Sequence, residues 1–213
     1  AVRAVPAAAA AGAAGQRGAR ARLAAARLHG SKNCDRSPPV EWYCYEMDIP
    51  IELVAPKPSA HPFEKVPHLS DDGGVEVFES GAILLYLADK YGGLDTPEKR
   101  AKVTKWVIWA NSTLEDLAFA TGLKAKKLVA PGFIMDRLDS ILGECVWLVD
   151  NEFSVADVAV GSYLNYEPVF FGELDLTRRP NLAAYMKRCA QRPAFVQAFG
   201  QGHADTVRTR VIP

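Results

Sequence analysis

Lys65-Val66-Pro67-His68-Leu69, followed ten residues later by Glu79-Ser80-Gly81-Ala82-Ile83, is the stretch around which this chain is organised. Between the two lies a hairpin signal, Asp71-Asp72-Gly73-Gly74, and a second strand-like run, Val75-Glu76-Val77-Phe78. Ser80 then opens a helix whose apolar residues recur at Ile83, Leu84, Leu87 and Tyr91. Proline donates no ladder hydrogen bond and fits poorly in a central strand. A cis Val66–Pro67 bond at a strand edge resolves the conflict and leaves the preceding backbone free to pair with an extended ligand. Glu79-Ser80 brings a carboxylate, a hydroxyl and fresh helix N–H groups to one point, which suits the charged head of a small amino-acid-like ligand.

Working outward, Leu23 to His29 is a short first strand candidate closed by Gly30. After a polar loop, Ser37-Pro38-Pro39 predicts a helix start, with Ser37 as N-cap and proline at the first helical position. That helix runs through Val40, Trp42, Tyr43 and Met47, and Ile51-Glu52-Leu53-Val54 reads as the second strand of a βαβ unit. Pro56, Pro58 and Pro62 forbid a regular helix in the next segment. Gly92 to Asp95 is a linker, and Thr96-Pro97-Glu98 caps a second, helical domain. Its first helix places Val103, Trp106, Val107, Ala110, Leu114 and Leu117 on one face. Pro131-Gly132 precedes an amphipathic helix over 133–142. Phe153-Ser154-Val155-Ala156-Asp157 reads as a capping box with a hydrophobic staple. Further helices are expected over 182–191 and from Pro193, with 201–213 as a free tail.

The motifs V-P-x-L, hairpin, then E-S-x-A-I-x-x-Y-L resemble the N-terminal domain of the glutathione S-transferase superfamily, and the resemblance runs from about Leu28 to Phe199. Val40-Glu41-Trp42-Tyr43 and Asp157-Val158-Ala159-Val160-Gly161-Ser162-Tyr163-Leu164 look most like the cyanobacterial and plastid-type members. The resemblance implies an α/β plus all-α fold: a thioredoxin-like glutathione-site domain over 23–92, followed by a C-terminal helical bundle over 95–200. It also implies glutathione as the ligand. Val66-Pro67 would pair with its cysteinyl backbone, and Glu79 and Ser80 would hold its γ-glutamyl end. Lys57 or Lys65 would meet its glycine carboxylate. By the family's spacing, Cys34 falls where plant-type members carry a catalytic Ser or Cys, with Ser31 and Ser37 as hydroxyl alternatives. A cysteine there is activated by the helix N-terminus and by Lys32 and Arg36, while Asp35 acts against it. Its chemistry would be thiol–disulfide exchange rather than conjugation; the alternative is a loop residue without chemistry. Residues 55–63 are shorter than the family's usual segment, and Glu64 stands where the family usually has Gly.

Lys and Arg total 25, as do Asp and Glu, so no overall field favours nucleic acid. Cys34, Cys44, Cys145 and Cys189 lack metal or redox spacing and read as reduced thiols, and the histidines show no ligand spacing, so no metal is expected. Trp106 and Trp109 are candidates for an apolar pocket wall or for plain helix packing. No apolar run approaches the roughly 18 residues that span a bilayer. Residues 1–22 are Ala- and Gly-rich with scattered Arg and no acid, resembling an organelle transit peptide or its remnant. A plastid, or alternatively a mitochondrial, location is expected. Two readings follow. One is an organellar glutathione-dependent transferase or thiol reductase, as homodimer or within a larger assembly. The other is a catalytically silent scaffold subunit of a photosynthetic or respiratory membrane complex, held through its N-terminal extension.

Overall fold

The structure, a computed structural model, describes residues 25–31, 36–56, 61–119 and 128–213. Cys34 and Lys57, along with the N-terminal extension, lie outside the described residues. The first layer is a four-stranded sheet in the order β2-β1-β3-β4, with β1 at Ala26–His29, β2 at Ile51–Val54, β3 at His68–Asp71 and β4 at Val75–Phe78. β1 and β2 are parallel, joined through helix α1 (Ser37–Glu46); β3 is antiparallel to both β1 and β4. The Asp72–Gly74 turn makes the β3–β4 hairpin, and Gly73 takes a φ of 74° that glycine adopts without steric cost. Asp71 ties this hairpin to α2 (Ser80–Tyr91): its carboxylate accepts from Lys90 Nζ at 2.7 Å and from the Tyr86 hydroxyl at 2.8 Å.

The helical domain begins at α3 (Pro97–Trp109), with Thr96 capping the Lys99 N–H at 3.2 Å. A π-helical turn, Ala110–Leu114, links α3 to the short α4 (Glu115–Phe119). There follow α5 (Phe133–Glu144) and the central α6 (Val155–Phe171), then α7 (Pro180–Ala190) and α8 (Pro193–Phe199). The capping box at the start of α6 is formed. Asp157 accepts from the Ser154 N–H at 3.0 Å and also from Leu148 N at 3.0 Å and the Tyr185 hydroxyl at 3.1 Å. Helix α6 is buried along most of its length because it packs against both domains. Gly161 permits this. A Cβ there would lie 2.9 Å from Cys189 Sγ and 3.3 Å from the Trp42 ring.

Trp42 joins the two layers. It is fully buried on α1, edge-on to Phe195 (5.0 Å between centroids) and tilted against Phe153 (5.6 Å). Its indole N–H donates to Glu46 Oε1 at 2.8 Å, and Glu46 receives Arg192 from the second domain at 2.5 and 2.7 Å. Truncating so large a buried ring typically costs about 3–5 kcal/mol.

Two expectations are corrected. Residues 201–213 are no free tail. They form α9 (Gln201–Arg210) and a short strand β6 (Val211–Ile212) that pairs in parallel with β5 (Leu174–Asp175). The helix is polar overall and buries only Ala204 and Val207, with Val211 of β6 buried after it. Ser37 is not the N-cap of α1. Arg36 holds that position without a side-chain capping bond, and Ser37 is buried inside the helix. The following prolines explain this, since a start that carries few N–H groups leaves little to cap. Of the two readings for Trp106 and Trp109, plain helix packing is the one observed: they pack edge-to-face, 5.7 Å apart, against the helical core. Among the described residues, no helix is long and apolar enough to cross a membrane, and no group of three His, Cys, Asp or Glu could hold a metal ion.

Glu167, one turn beyond Tyr163 on α6, is fully buried, and neither carboxyl oxygen has a hydrogen-bond partner among the described residues. Burial pushes its pKa up to about 8. An unfolded glutamate titrates near about 4.3. The folded chain therefore holds the extra proton between these values, and the residue costs stability increasingly as pH rises through that window. Glu167→Gln is expected to stabilise the protein at pH 8 by on the order of 1–3 kcal/mol in urea denaturation and to change little near pH 4. A gain that is equal at both pH values, or a loss at pH 8, would refute this account.

Candidate active site

A cleft of about 980 Å³ opens between the sheet domain and the helical domain. One wall comes from the segments 65–67 and 79–80. Lys65, Val66, Pro67, Glu79 and Ser80 all line it, so five of the expected site residues converge on one surface. The Val66–Pro67 bond is cis. Pro67 is buried just before β3, which leaves Val66 at the cleft rather than in the ladder. Glu79 stands at the N-terminus of α2 with φ 70°, a left-handed conformation that L-residues adopt at a cost, and its side chain makes no capping bond. The first intrahelical bond runs from Ile83 N to Glu79 O at 2.9 Å. The N–H groups of Ser80, Gly81 and Ala82 are thus the unsatisfied donors of the helix start. Lys65 is exposed beside them. Ser31 is half-buried with a partner of its own and does not line the cleft.

Glu64 has φ 56°, the backbone region in which glycine sits without strain, so it bears the conformation that the family's usual Gly would take freely. His61 is buried, accepts from the Phe63 N–H at 3.0 Å and lies 4.9 Å from the Phe78 ring. His29 and His68, opposite one another across β1 and β3, are also buried, with ring centroids 5.5 Å apart. These histidines are loop or strand residues, as expected: His29 lies in β1, His68 in β3 and His61 in the turn that precedes β3.

The opposite wall comes from the helical domain, and its residues were not anticipated. Phe119, Tyr166 and Phe170 make an aromatic face with Val169 among them, completed by Phe199 and His203. His203 belongs to α9, and its Nε2 lies 2.8 Å from the Asn165 carbonyl oxygen. Burial holds this imidazole below its ordinary pKa. Arg36, at the start of α1, donates to both carboxylate oxygens of Glu115, with Nη1 at 3.2 Å from Oε2. Its guanidinium lies 5.4 Å from the Tyr163 ring centroid. Burial opposes the Arg36 charge, but the Glu115 hydrogen bond and nearby acids outweigh it and hold the pKa above its ordinary value. Tyr163 donates to Asn111 Oδ1 at 2.9 Å, and burial pushes its phenol up to about 12, so it keeps its proton. The arrangement can therefore hold a zwitterionic head at the start of α2, an extended backbone along Val66, and an apolar group against the helical domain. Sequence periodicity could have flagged Phe119, Tyr163, Tyr166 and Phe170 as helical aromatics. It could not have said that they face a cleft.

Comparison with known proteins agrees with this geometry. Residues 28–96 match the family model for the glutathione S-transferase N-terminal domain, and residues 122–193 match that for the C-terminal domain. Glutathione S-transferase GstB of Escherichia coli K12 is 32% identical over 150 residues, covering 61% of this chain and 70% of that protein. The disulfide-bond oxidoreductase YghU of the same strain is 26% identical over 164 residues, covering 63% of this chain and 54% of that one. The theta class glutathione S-transferase of Xanthomonas axonopodis pv. citri, solved with glutathione bound, superposes with a TM-score of 0.66 at 23% identity, over 82% of this chain and 97% of that chain. With both domain models matched in order, and a thioredoxin-like sheet followed by a helical bundle, the chain belongs to the glutathione S-transferase family.

Proposed function

We propose that the protein is a glutathione-dependent transferase or thiol reductase working in this cleft. The observation that carries the reading is the convergence of Val66, cis-Pro67, Glu79 and Ser80 on one wall facing an aromatic wall. The γ-glutamyl carboxylate would take the free N–H groups at the start of α2. The ammonium would meet the Glu79 carboxylate. The cysteinyl backbone would pair with Val66, and Lys65 would meet the glycine carboxylate.

Cys34, two residues before Arg36, is the proposed nucleophile. Its thiolate would attack the glutathionyl sulfur of a mixed disulfide, releasing the substrate's thiolate and leaving glutathione on Cys34. A second glutathione thiolate would then attack that bond, giving glutathione disulfide and restoring the Cys34 thiolate. The similarity to a disulfide-bond oxidoreductase supports this branch over conjugation. Calorimetric titration of glutathione into the full chain is expected to show millimolar or tighter affinity. Disulfide-reductase turnover is expected to be lost in Cys34→Ser while glutathione still binds. Full turnover in that variant removes Cys34 from the mechanism. No uptake at millimolar glutathione favours the silent scaffold role, which draws its support from the shortened segment 55–63 and the strained Glu64.

A second copy of the chain is proposed as a partner. Phe63 and Phe78 are exposed on and beside the edge strand β4, with ring centroids 6.2 Å apart, and large exposed rings of this kind mark association surfaces. Sedimentation at micromolar concentration is expected to give a dimer, weakened at least about tenfold by Phe63→Ser. A monomer at all concentrations rules this face out. A plastid location, with a larger organellar complex as the wider setting, is proposed from the acid-free, Arg-bearing residues 1–22 and the plastid-type look of the α1 and α6 motifs. A fluorescent protein carrying residues 1–31 at its N-terminus should enter plastids; one that stays outside both plastids and mitochondria refutes the address.

A further inference from the structure

The aromatic wall of the cleft carries a hydrogen-bonding atom whose polarity the backbone fixes. His203, on α9, is half-buried and lines the cleft. Its Nε2 lies 2.8 Å from the backbone carbonyl oxygen of Asn165. A carbonyl oxygen only accepts, so the proton of the neutral ring sits on Nε2 and Nδ1 is left with a lone pair. Burial disfavours a second proton on this imidazole, so Nδ1 keeps that lone pair at neutral pH. Nδ1 makes no hydrogen bond among the described residues, and it is not sealed from solvent. The ring is also held in place. It packs edge-to-face against Phe199, Phe195 and Tyr166, with centroids 5.0, 5.6 and 5.7 Å away. Turning it over would set a C–H in place of Nε2 against the Asn165 carbonyl and forfeit that bond.

The surroundings of this acceptor are flat and mostly apolar. Tyr166 and Phe170 lie 5.6 Å apart, tilted by only 31°, and Phe170 is exposed. Nearby polar groups are engaged with one another, Tyr163 with Asn111 and Arg36 with Glu115. A planar aromatic group stacks well on such rings. An apolar group laid over Nδ1 would strip its water and return nothing, whereas a phenol would replace that water with its own O–H. We propose that the aromatic wall takes a second substrate bearing a phenolic hydroxyl, which donates its hydrogen bond to His203 Nδ1. The proposal rests on the reading of the cleft as a glutathione site and names the class of second substrate that this site takes.

The test is calorimetric titration of S-benzylglutathione and of its ortho, meta and para hydroxybenzyl counterparts into the full chain. At least one hydroxybenzyl isomer is expected to bind wild type about 3- to 10-fold more tightly than the benzyl compound, the worth of one neutral hydrogen bond. The methyl ether of that isomer keeps the oxygen but has no donor, and it should show no such gain. His203→Phe should abolish the preference while binding S-benzylglutathione at least as well as wild type, because no acceptor is left to strip of water. A general loss of packing would instead weaken every ligand together. His203→Leu repeats the comparison where His203→Phe does not fold, and the wild-type comparisons stand without either variant. Isomers that all bind like the benzyl compound, a methyl ether that binds as tightly as its parent phenol, or equal loss of benzyl and hydroxybenzyl ligands in the variants would each overturn the proposal alone. A wild-type chain that binds neither glutathione nor any of these derivatives overturns the glutathione reading, and the proposal with it.

Discussion

The packing of Trp42 between the two domains is the constraint on which the rest depends. Helix α1 belongs to the sheet domain by sequence, yet its largest side chain is buried among Phe153, Phe195 and Phe199 of the other. The polar edge of the indole is satisfied by Glu46, which is in turn clasped by Arg192, itself 3.7 Å above the Phe153 ring. Apolar burial supplies most of the adhesion here. The partly buried, two-pronged ion pair adds direction to that adhesion, because it forms only when Arg192 faces Glu46. The cleft is the open side of the same interface. Its two walls keep their spacing only while α1 and α8 stay in contact.

Much of the sheet-domain wall was legible in the sequence because its signals are local. A proline before a strand, an Asp-Gly hairpin and an E-S helix start each constrain only their neighbours. The same holds for the capping box at Ser154 and Asp157, where spacing alone specifies the bond. The helical wall was illegible for the opposite reason. Glu115 reads as one more acid on an amphipathic helix until Arg36, 79 residues earlier, is seen to meet it. Likewise, Asn111 reads as a helix interruption until Tyr163 and Ser80 are brought to it.

Residues 201–213 and the histidines show a second limit. Hydrophobic patterning finds elements that bury a broad stripe, whereas α9 buries little and is held partly by the pairing of β6 with β5. A two-residue strand leaves no periodicity to read. His29, His61 and His68 look unremarkable because they are scattered in sequence and polar. In the fold they pack against one another and against Phe78, and His68 Nε2 contacts Glu76 at 2.9 Å.

The π-helical turn at Ala110–Leu114 has a consequence for how this chain tolerates insertion and deletion. A π-turn accommodates one residue more than an α-helical turn in the same length of helix. The extra residue is absorbed within the turn, so removing one residue between 110 and 114 would let the helix regularise with α4 still in phase. An insertion there, or a regular α-helix of unchanged length, would instead turn α4 by about 100°. Glu115 would swing off Arg36 and Phe119 would leave the aromatic wall. One wall of the cleft therefore hangs on this wide turn as much as on its side chains.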